Sequence, residues 1–264
     1  MRVHRALIGG YRRSSAFSSS VTAAQPPAFD PAEPGASEAA WQDFLRVQPI
    51  WEPGPVPALV VSPHPDDEVL GAGGLMHTLT AKGGVVRVVS VTDGEAAYPE
   101  GEAAYPGASA LGTRRRRELR SALRKLSPHY VETLRLAIPD GEVRHFENKL
   151  FSAIESMITP ETLIVSPFEE DGHPDHDAAG RVACRISRVH KLAMVRYPIW
   201  TWHQSDPEKV RRFSWRRFPL SLEAQRAKAR ALDCFRSQTA PGFSNPVLPP
   251  HVLRYFQRAF EAFV

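Results

Sequence analysis

The sequence predicts an α/β protein in which a mostly parallel sheet carries helices on both faces within a single domain. Three observations lead there. Short runs rich in Val, Ile and Leu alternate with longer amphipathic stretches, the pattern of parallel strands joined by crossover helices. The 264 residues are enough to bury a full core without disulfide staples. Polar clusters follow directly on apolar runs, and ligands in such sheets bind beyond the carboxyl ends of the strands.

The elements follow in order. Ala36 to Val47 reads as a short amphipathic helix with Trp41, Phe44 and Leu45 on one side, and a proline-broken stretch follows around Pro49 to Pro57. Ala58 to Ser62 is a compact apolar strand, Val69 to Ala81 a helix and Val85 to Thr92 a second strand, which together make a βαβ unit. A charged helix at Thr113 to Leu126, a strand at Tyr130 to Leu136, a helix at Val143 to Met157 and a strand at Thr162 to Pro167 continue the alternation. Asp175 to His190 is expected as a helix and Met194 to Trp200 as a strand, with helices at Leu222 to Arg236 and His251 to Phe263 closing the fold.

Residues 1–35 are expected as a disordered leader and a Pro-rich linker, and 36–264 as the folded domain. The leader is rich in Arg, Ser and Ala, which leaves an organellar targeting role as its other reading. The formal net charge is +4, but Arg2, Arg5, Arg12 and Arg13 all precede the first acidic residue, Asp30, and the remainder is balanced. A nucleic-acid partner is therefore not expected. Neither Cys184 nor Cys234 belongs to a CxxC pair, which gives no disulfide framework and fits a cytoplasmic protein. Charges and prolines interrupt every apolar segment before the roughly 20 residues that a membrane span needs.

Two clusters carry chemistry. Ser62-Pro63-His64-Pro65-Asp66-Asp67-Glu68 follows the first core strand, and Asp171-Gly172-His173-Pro174-Asp175-His176-Asp177 follows a later one. Two His with one carboxylate is a common zinc ligand set that keeps a position open, and His64, Asp67 and His176 could supply it. Residues three apart in a turn entering a helix lie on one side, so His64 can converge with Asp67, and His173 lies beside His176. Asp66, next to a ligand, is placed to take a proton from water. Each cluster alone also reads as ordinary helix capping; both after strands of one sheet is a much rarer coincidence.

HPDDE near the start of the domain and HPDH farther on resemble the paired signatures of the LmbE-like, or PIG-L, de-N-acetylase family. The likeness extends to Val91-Thr92-Asp93-Gly94-Glu95, to the helix from Arg115 to Leu119, to the Pro-Asp-Gly turn within Leu136 to Gly141, and to Tyr197 through His203. The resemblance implies a Rossmann-like fold and a metal held by His64, Asp67 and His176. It implies Asp66 as general base, His173 as the group that stabilises or protonates the reacting atoms, and Asp175 as the residue that orients His173. One departure is that some members carry a mobile tyrosine two residues before HPDH, where this chain has Asp171.

The function so implied is removal of an N-acetyl group from an N-acetylglucosamine-containing conjugate by a zinc enzyme, with iron or cobalt as other metals that suit these ligands. A related amidase for a bulkier acyl group or a thiol-sugar conjugate, and a silent saccharide-binding module, are the competing readings. Candidate substrate contacts are Asp93, Arg115, Asp140 and Trp202. The carboxylates could bind sugar hydroxyls or serve turns. Trp202, with Trp200 and His203, could stack on a sugar or pack in a core strand. Glu68 could support a ligand or favour the helix start.

Overall fold

The computed structural model describes residues 30–98, 106–127, 129–240 and 246–264. Most of the expected leader therefore lies outside the described residues. The described part of the expected linker is not loose: His203 Nε2 lies 3.1 Å from the Asp30 carbonyl, His251 Nε2 lies 3.0 Å from that of Pro31, and the Ala36 N–H donates to His203 O.

The elements are α1 (Glu38–Arg46), β1 (Ala58–Ser62), α2 (Asp67–Ala81), β2 (Val86–Ser90), α3 (Ala108–Leu126), β3 (Glu132–Arg135), α4 (Glu147–Glu155), β4 (Leu163–Pro167) and α5 (Pro174–His190). Then come β5 (Met194–Tyr197), α6 (Thr201–Gln204), α7 (Pro207–Val210), β6 (Arg216–Pro219), α8 (Leu222–Leu232), α9 (Arg236–Thr239), α10 (Pro250–Leu253) and β7 (Phe260–Phe263). Strands β1 to β5 form one parallel sheet in the order β3-β2-β1-β4-β5. The chain winds one way from β1 to β3, then returns past β1 to β4. The crevice at the carboxyl ends of β1 and β4 is thus the topological switch point of the sheet.

Alternate residues of β1 feed two cores. Val60 packs with α2, α3 and α8 residues such as Leu75, Leu119 and Ala227, while Leu59 and Val61 pack with Leu150 and Ile154 of α4 and Val182 of α5. Helices therefore cover both faces, as the fully buried β1 and β4 require.

Three expected elements change. The long helix at Val143 to Met157 divides at Phe146 into a 3-10 turn, Val143–His145, and α4. The strand from Met194 stops at Tyr197, before Pro198, so Trp200 and Trp202 sit in a turn and α6 instead of alternating along a strand. The closing helix at His251 to Phe263 is replaced by α10, a 3-10 turn and β7, which pairs antiparallel with β6 and exchanges two hydrogen bonds with β5 through Arg196 and Val264. Its aromatic ends suit a strand that packs on neighbours.

These changes fix the surroundings of Trp202. Its ring lies edge-on to Trp41 at 4.9 Å and beside Trp215 at 5.4 Å, with the Arg258 guanidinium over it at 4.4 Å. Its carbonyl accepts from Trp41 Nε1, which ties α1 to the body. Trp202 is a core residue, and the sugar-stacking expectation fails because both of its neighbouring rings come from the protein. Trp202→Ala is expected to cost about 3–5 kcal/mol of stability, as large-to-small core substitutions do, measured by urea unfolding; an unchanged midpoint would contradict this packing.

Candidate metal centre

The turn after β1 is braced from beneath. Burial pushes the Glu68 carboxyl up to about 8, so it is neutral at pH 7. Its Oε2 lies 2.6 Å from Ser62 Oγ, and the Ser62 hydroxyl can then donate to the His64 carbonyl at 2.7 Å. Glu68 thus supports the turn, not a ligand imidazole. Asp67 Oδ2 accepts from the His64 N–H at 2.9 Å, which folds the carboxylate back beside the imidazole.

Three donor atoms meet at the switch point. His64 Nδ1 lies 3.3 Å from Asp67 Oδ2, His176 Nε2 lies 3.2 Å from the same oxygen, and the two ring nitrogens are 3.2 Å apart. Ligand atoms about 2.0–2.1 Å from an ion at tetrahedral angles stand ~3.3 Å from one another, so this triangle has the size that a metal ion such as zinc requires. His64 comes from the β1 turn and His176 from the first turn of α5, brought together by the pairing of β1 with β4.

Each imidazole is held from its far side by a carboxylate. His64 Nε2 lies 2.9 Å from Asp140, whose other oxygen accepts from the Ala96 N–H. His176 Nδ1 lies 2.8 Å from Asp171. Such partners fix the tautomer and aim of a ligand histidine. Asp171 is itself fully buried and accepts from the N–H groups of Ile199, Trp200 and Thr201 and from the Thr201 hydroxyl. The segment after β5 thereby positions His176 on α5.

The site is rich in negative charge, with Asp66, Asp67, Asp140, Asp171 and Asp175 around the imidazoles of His64 and His176. Burial opposes protonation of His176, yet Asp67 and Asp171 pull it up to about 10. His64 is likewise raised against burial, chiefly by Asp140. Burial pushes the Asp67 carboxyl up, but His176 and His64 outweigh it and hold it well below the usual range. A cation would take the place of those protons.

Asp66 stands beside the triangle with φ 143°, a conformation that favours glycine. Its neighbours over-determine it. Arg115, buried against the turn, donates to Asp66 Oδ2 and to the Pro65 carbonyl at 3.1 Å each, and to the Gly94 carbonyl at 2.9 Å. Gly94 sits at φ 65°, and a Cβ there would lie 2.1 Å from the Arg115 guanidinium. Burial raises the Asp66 carboxyl and Arg115 pulls it back, leaving it at about 7.

Several expected contacts have other partners. His173 lies beside His64 and His176, with ring centroids 4.9 and 4.8 Å away, but its Nδ1 accepts from the Asp175 N–H at 3.2 Å. Burial, helped by His176 and His64, holds it down at about 3, so it is a neutral imidazole. The Asp175 carboxylate does not orient His173. It accepts from the N–H groups of Gly141 and Val143 and approaches His64 Nε2 at 3.4 Å. Asp140 is bound to His64, Arg115 to Asp66, and Asp93 to Arg116 and Arg135, so each of these expected substrate contacts is engaged within the protein. Asp171 is the residue the sequence reading missed. Its only local signal was its place in the cluster before His176.

Two groups among the described residues that could hold a metal ion, His64 with His173 and His176 and His64 with Asp140 and Asp175, share His64 with this triangle. Residues 59–187 match the family described as PIG-L: GlcNAc-PI de-N-acetylase. That match takes in both sequence signatures. A probable N-acetyl-alpha-D-glucosaminyl L-malate deacetylase 2 of Bacillus cereus is 33% identical over 139 residues, covering 50% of this chain and 62% of the relative. A 1D-myo-inositol 2-acetamido-2-deoxy-alpha-D-glucopyranoside deacetylase of Salinispora arenicola is 31% identical over 160 residues, covering 52% of this chain and 51% of the relative. The chain therefore spans roughly half to six-tenths of the length of these curated relatives. The zinc-inhibited form of the teicoplanin deacetylase Orf2 aligns with a TM-score of 0.56 at 20% identity over 69% of this chain and 84% of the other. The N,N'-diacetylchitobiose deacetylase of Pyrococcus horikoshii aligns at 0.53 and 21% identity over 78% and 81%. At these identities the structural likeness shows the fold. The matched residues contain the whole triangle and both outer carboxylates.

Two outcomes are expected. Asp171→Asn should weaken zinc binding about 10–100-fold, as loss of an outer partner of a metal-bound histidine does, read by competition with a chromogenic chelator; unchanged affinity would remove Asp171 from the centre. Because protons held by His64 and His176 must leave, zinc affinity should fall as pH drops from roughly 8 to 6. Calorimetry in buffers of different ionisation enthalpy should report proton release, and its absence would contradict the charge balance described.

Proposed function

We propose that this chain is a zinc-dependent hydrolase that removes an N-acetyl group from an N-acetylglucosamine-containing conjugate. The observation that carries the reading is the triangle of His64 Nδ1, Asp67 Oδ2 and His176 Nε2, with edges of 3.2–3.3 Å and a carboxylate behind each imidazole. Two His and one carboxylate leave a position open for reactants, which distinguishes a reactive centre from a closed structural one. Iron and cobalt suit the same donors. The deacetylase names of the relatives supply the substrate class: an acetylated glucosamine joined to a further group. No helix among the described residues is long and apolar enough to cross a membrane, and a cytoplasmic small-molecule or glycoconjugate substrate is the reading adopted.

A bound divalent ion would make water a stronger acid and polarise the amide carbonyl. The protein's own residues do the rest. Asp66, with its carboxyl near 7, accepts a proton from the attacking water and keeps it available for the departing amine. Arg115 holds Asp66 in its strained conformation and so fixes the direction of that transfer. With Nδ1 engaged by the Asp175 N–H, His173 carries its proton on Nε2, which suits it to donate a hydrogen bond to the oxygen that gains charge. Asp140 and Asp171 hold the ligand imidazoles in place throughout.

Acetate release from a panel of N-acetylglucosamine conjugates by the zinc-loaded protein is the direct test. Release is expected from at least one member, and Asp66→Asn should lower it by about 10²–10⁴-fold, the usual worth of a general base, while zinc stays stoichiometric. No acetate from any member with zinc bound would sink the deacetylase reading. Full activity in Asp66→Asn would sink the assignment of the base.

A further inference from the structure

The helix that begins at the metal-binding turn is not continuous. At Ala72 the backbone of α2 leaves helical values, with φ −140° and ψ 15°, and a second helical segment follows. A break of this kind leaves main-chain donors and acceptors to be satisfied by other groups. One buried ion pair reaches both sides. Glu261 on β7 accepts from the N–H of Gly74 at 2.6 Å and of Leu75 at 2.8 Å, and so caps the start of the second segment. Lys228 on α8 donates to the Leu70 carbonyl at the end of the first segment and to Glu261 Oε1, each at 2.7 Å.

The fit around the break is close. A Cβ on Gly71 would lie 2.2 Å from the Tyr197 ring, and one on Gly73 would lie 3.3 Å from Lys228 Cγ. Tyr197 in turn donates its hydroxyl to the Val61 carbonyl at the end of β1. The first segment, starting at Asp67, is therefore aimed by contacts from α8 and β5, and is tied to β7 through Lys228. Stability alone is a poor account of the ion pair, because a buried pair can often be exchanged for apolar residues without loss. What apolar residues could not do is bridge Leu70 to Gly74 and Leu75 across the break.

The geometry points to Lys228 and Glu261 as positioning residues that clasp the two halves of α2 and set the aim of Asp66 and Asp67. The inference rests on the metal-hydrolase reading and extends the centre beyond residue 187, where the family match ends. The residues it adds lie 41 to 74 positions outside that match, on elements that contribute no ligand.

Zinc affinity by chelator competition tests it. Wild type, Glu261→Gln and the double variant Lys228→Met with Glu261→Leu are compared; the double variant leaves no charge unpaired and is expected to fold. Both variants should bind zinc on the order of tenfold more weakly, by analogy with loss of other supporting contacts around a metal, and should lose kcat with KM little changed. A folded double variant with wild-type zinc affinity overturns the inference. Coupling is reciprocal, so in the wild type zinc should slow amide exchange at Gly74 and Leu75 more than at the amides of β3. Equal slowing at both places overturns the inference without need of any variant. A wild type that binds no zinc refutes the metal centre itself, and the clasp with it.

Discussion

An excess of buried carboxylate around His64 and His176 is the constraint on which the rest of the structure depends. Carboxylates are costly to bury unless they are paired and hydrogen-bonded, and here every one of them has named donors. Asp171 is met by three peptide N–H groups and a hydroxyl, Asp175 by two peptide N–H groups, Asp140 by one, and Asp66 by Arg115. Those donors come from the segments that follow β2, β3 and β5. The loops at the carboxyl ends of the sheet are therefore fixed in relation to one another by the charges they satisfy.

This arrangement separates two kinds of histidine. His64 and His176 are drawn towards protonation by their carboxylates and hold their free nitrogens towards a shared point. His173 sits within 5 Å of both rings, yet burial and its two neighbours keep it neutral, with one nitrogen engaged by a peptide N–H. The two kinds are thus distinguished by what stands behind each ring, although all three residues occur in the same two short motifs.

The same logic governs α2. Its first turn carries Asp67, its interior is broken at Ala72, and the polar groups at the break are met by Lys228 and Glu261. Residues of the C-terminal third supply contacts that hold the turn bearing Asp67. They also supply the aromatic cluster of Trp202 and Trp215 that receives Trp41 from α1.

Much of this was legible in the sequence because it is local. Strand and helix alternation reflects side-chain periodicity, and β1, the two motifs and the α/β class were readable from it. His64 with Asp67, three residues apart, could be expected to converge because a turn entering a helix places them on one side. What only the tertiary structure decided was partnership over long separations. Asp140 behind His64, Asp171 capped by Ile199 to Thr201, Trp202 walled in by Trp41 and Trp215, and Lys228 with Glu261 across the α2 break all depend on which segments the sheet order brings together. A charged or aromatic side chain takes its role from the donors, charges and rings around it, and those neighbours are set by the fold, not by adjacent residues.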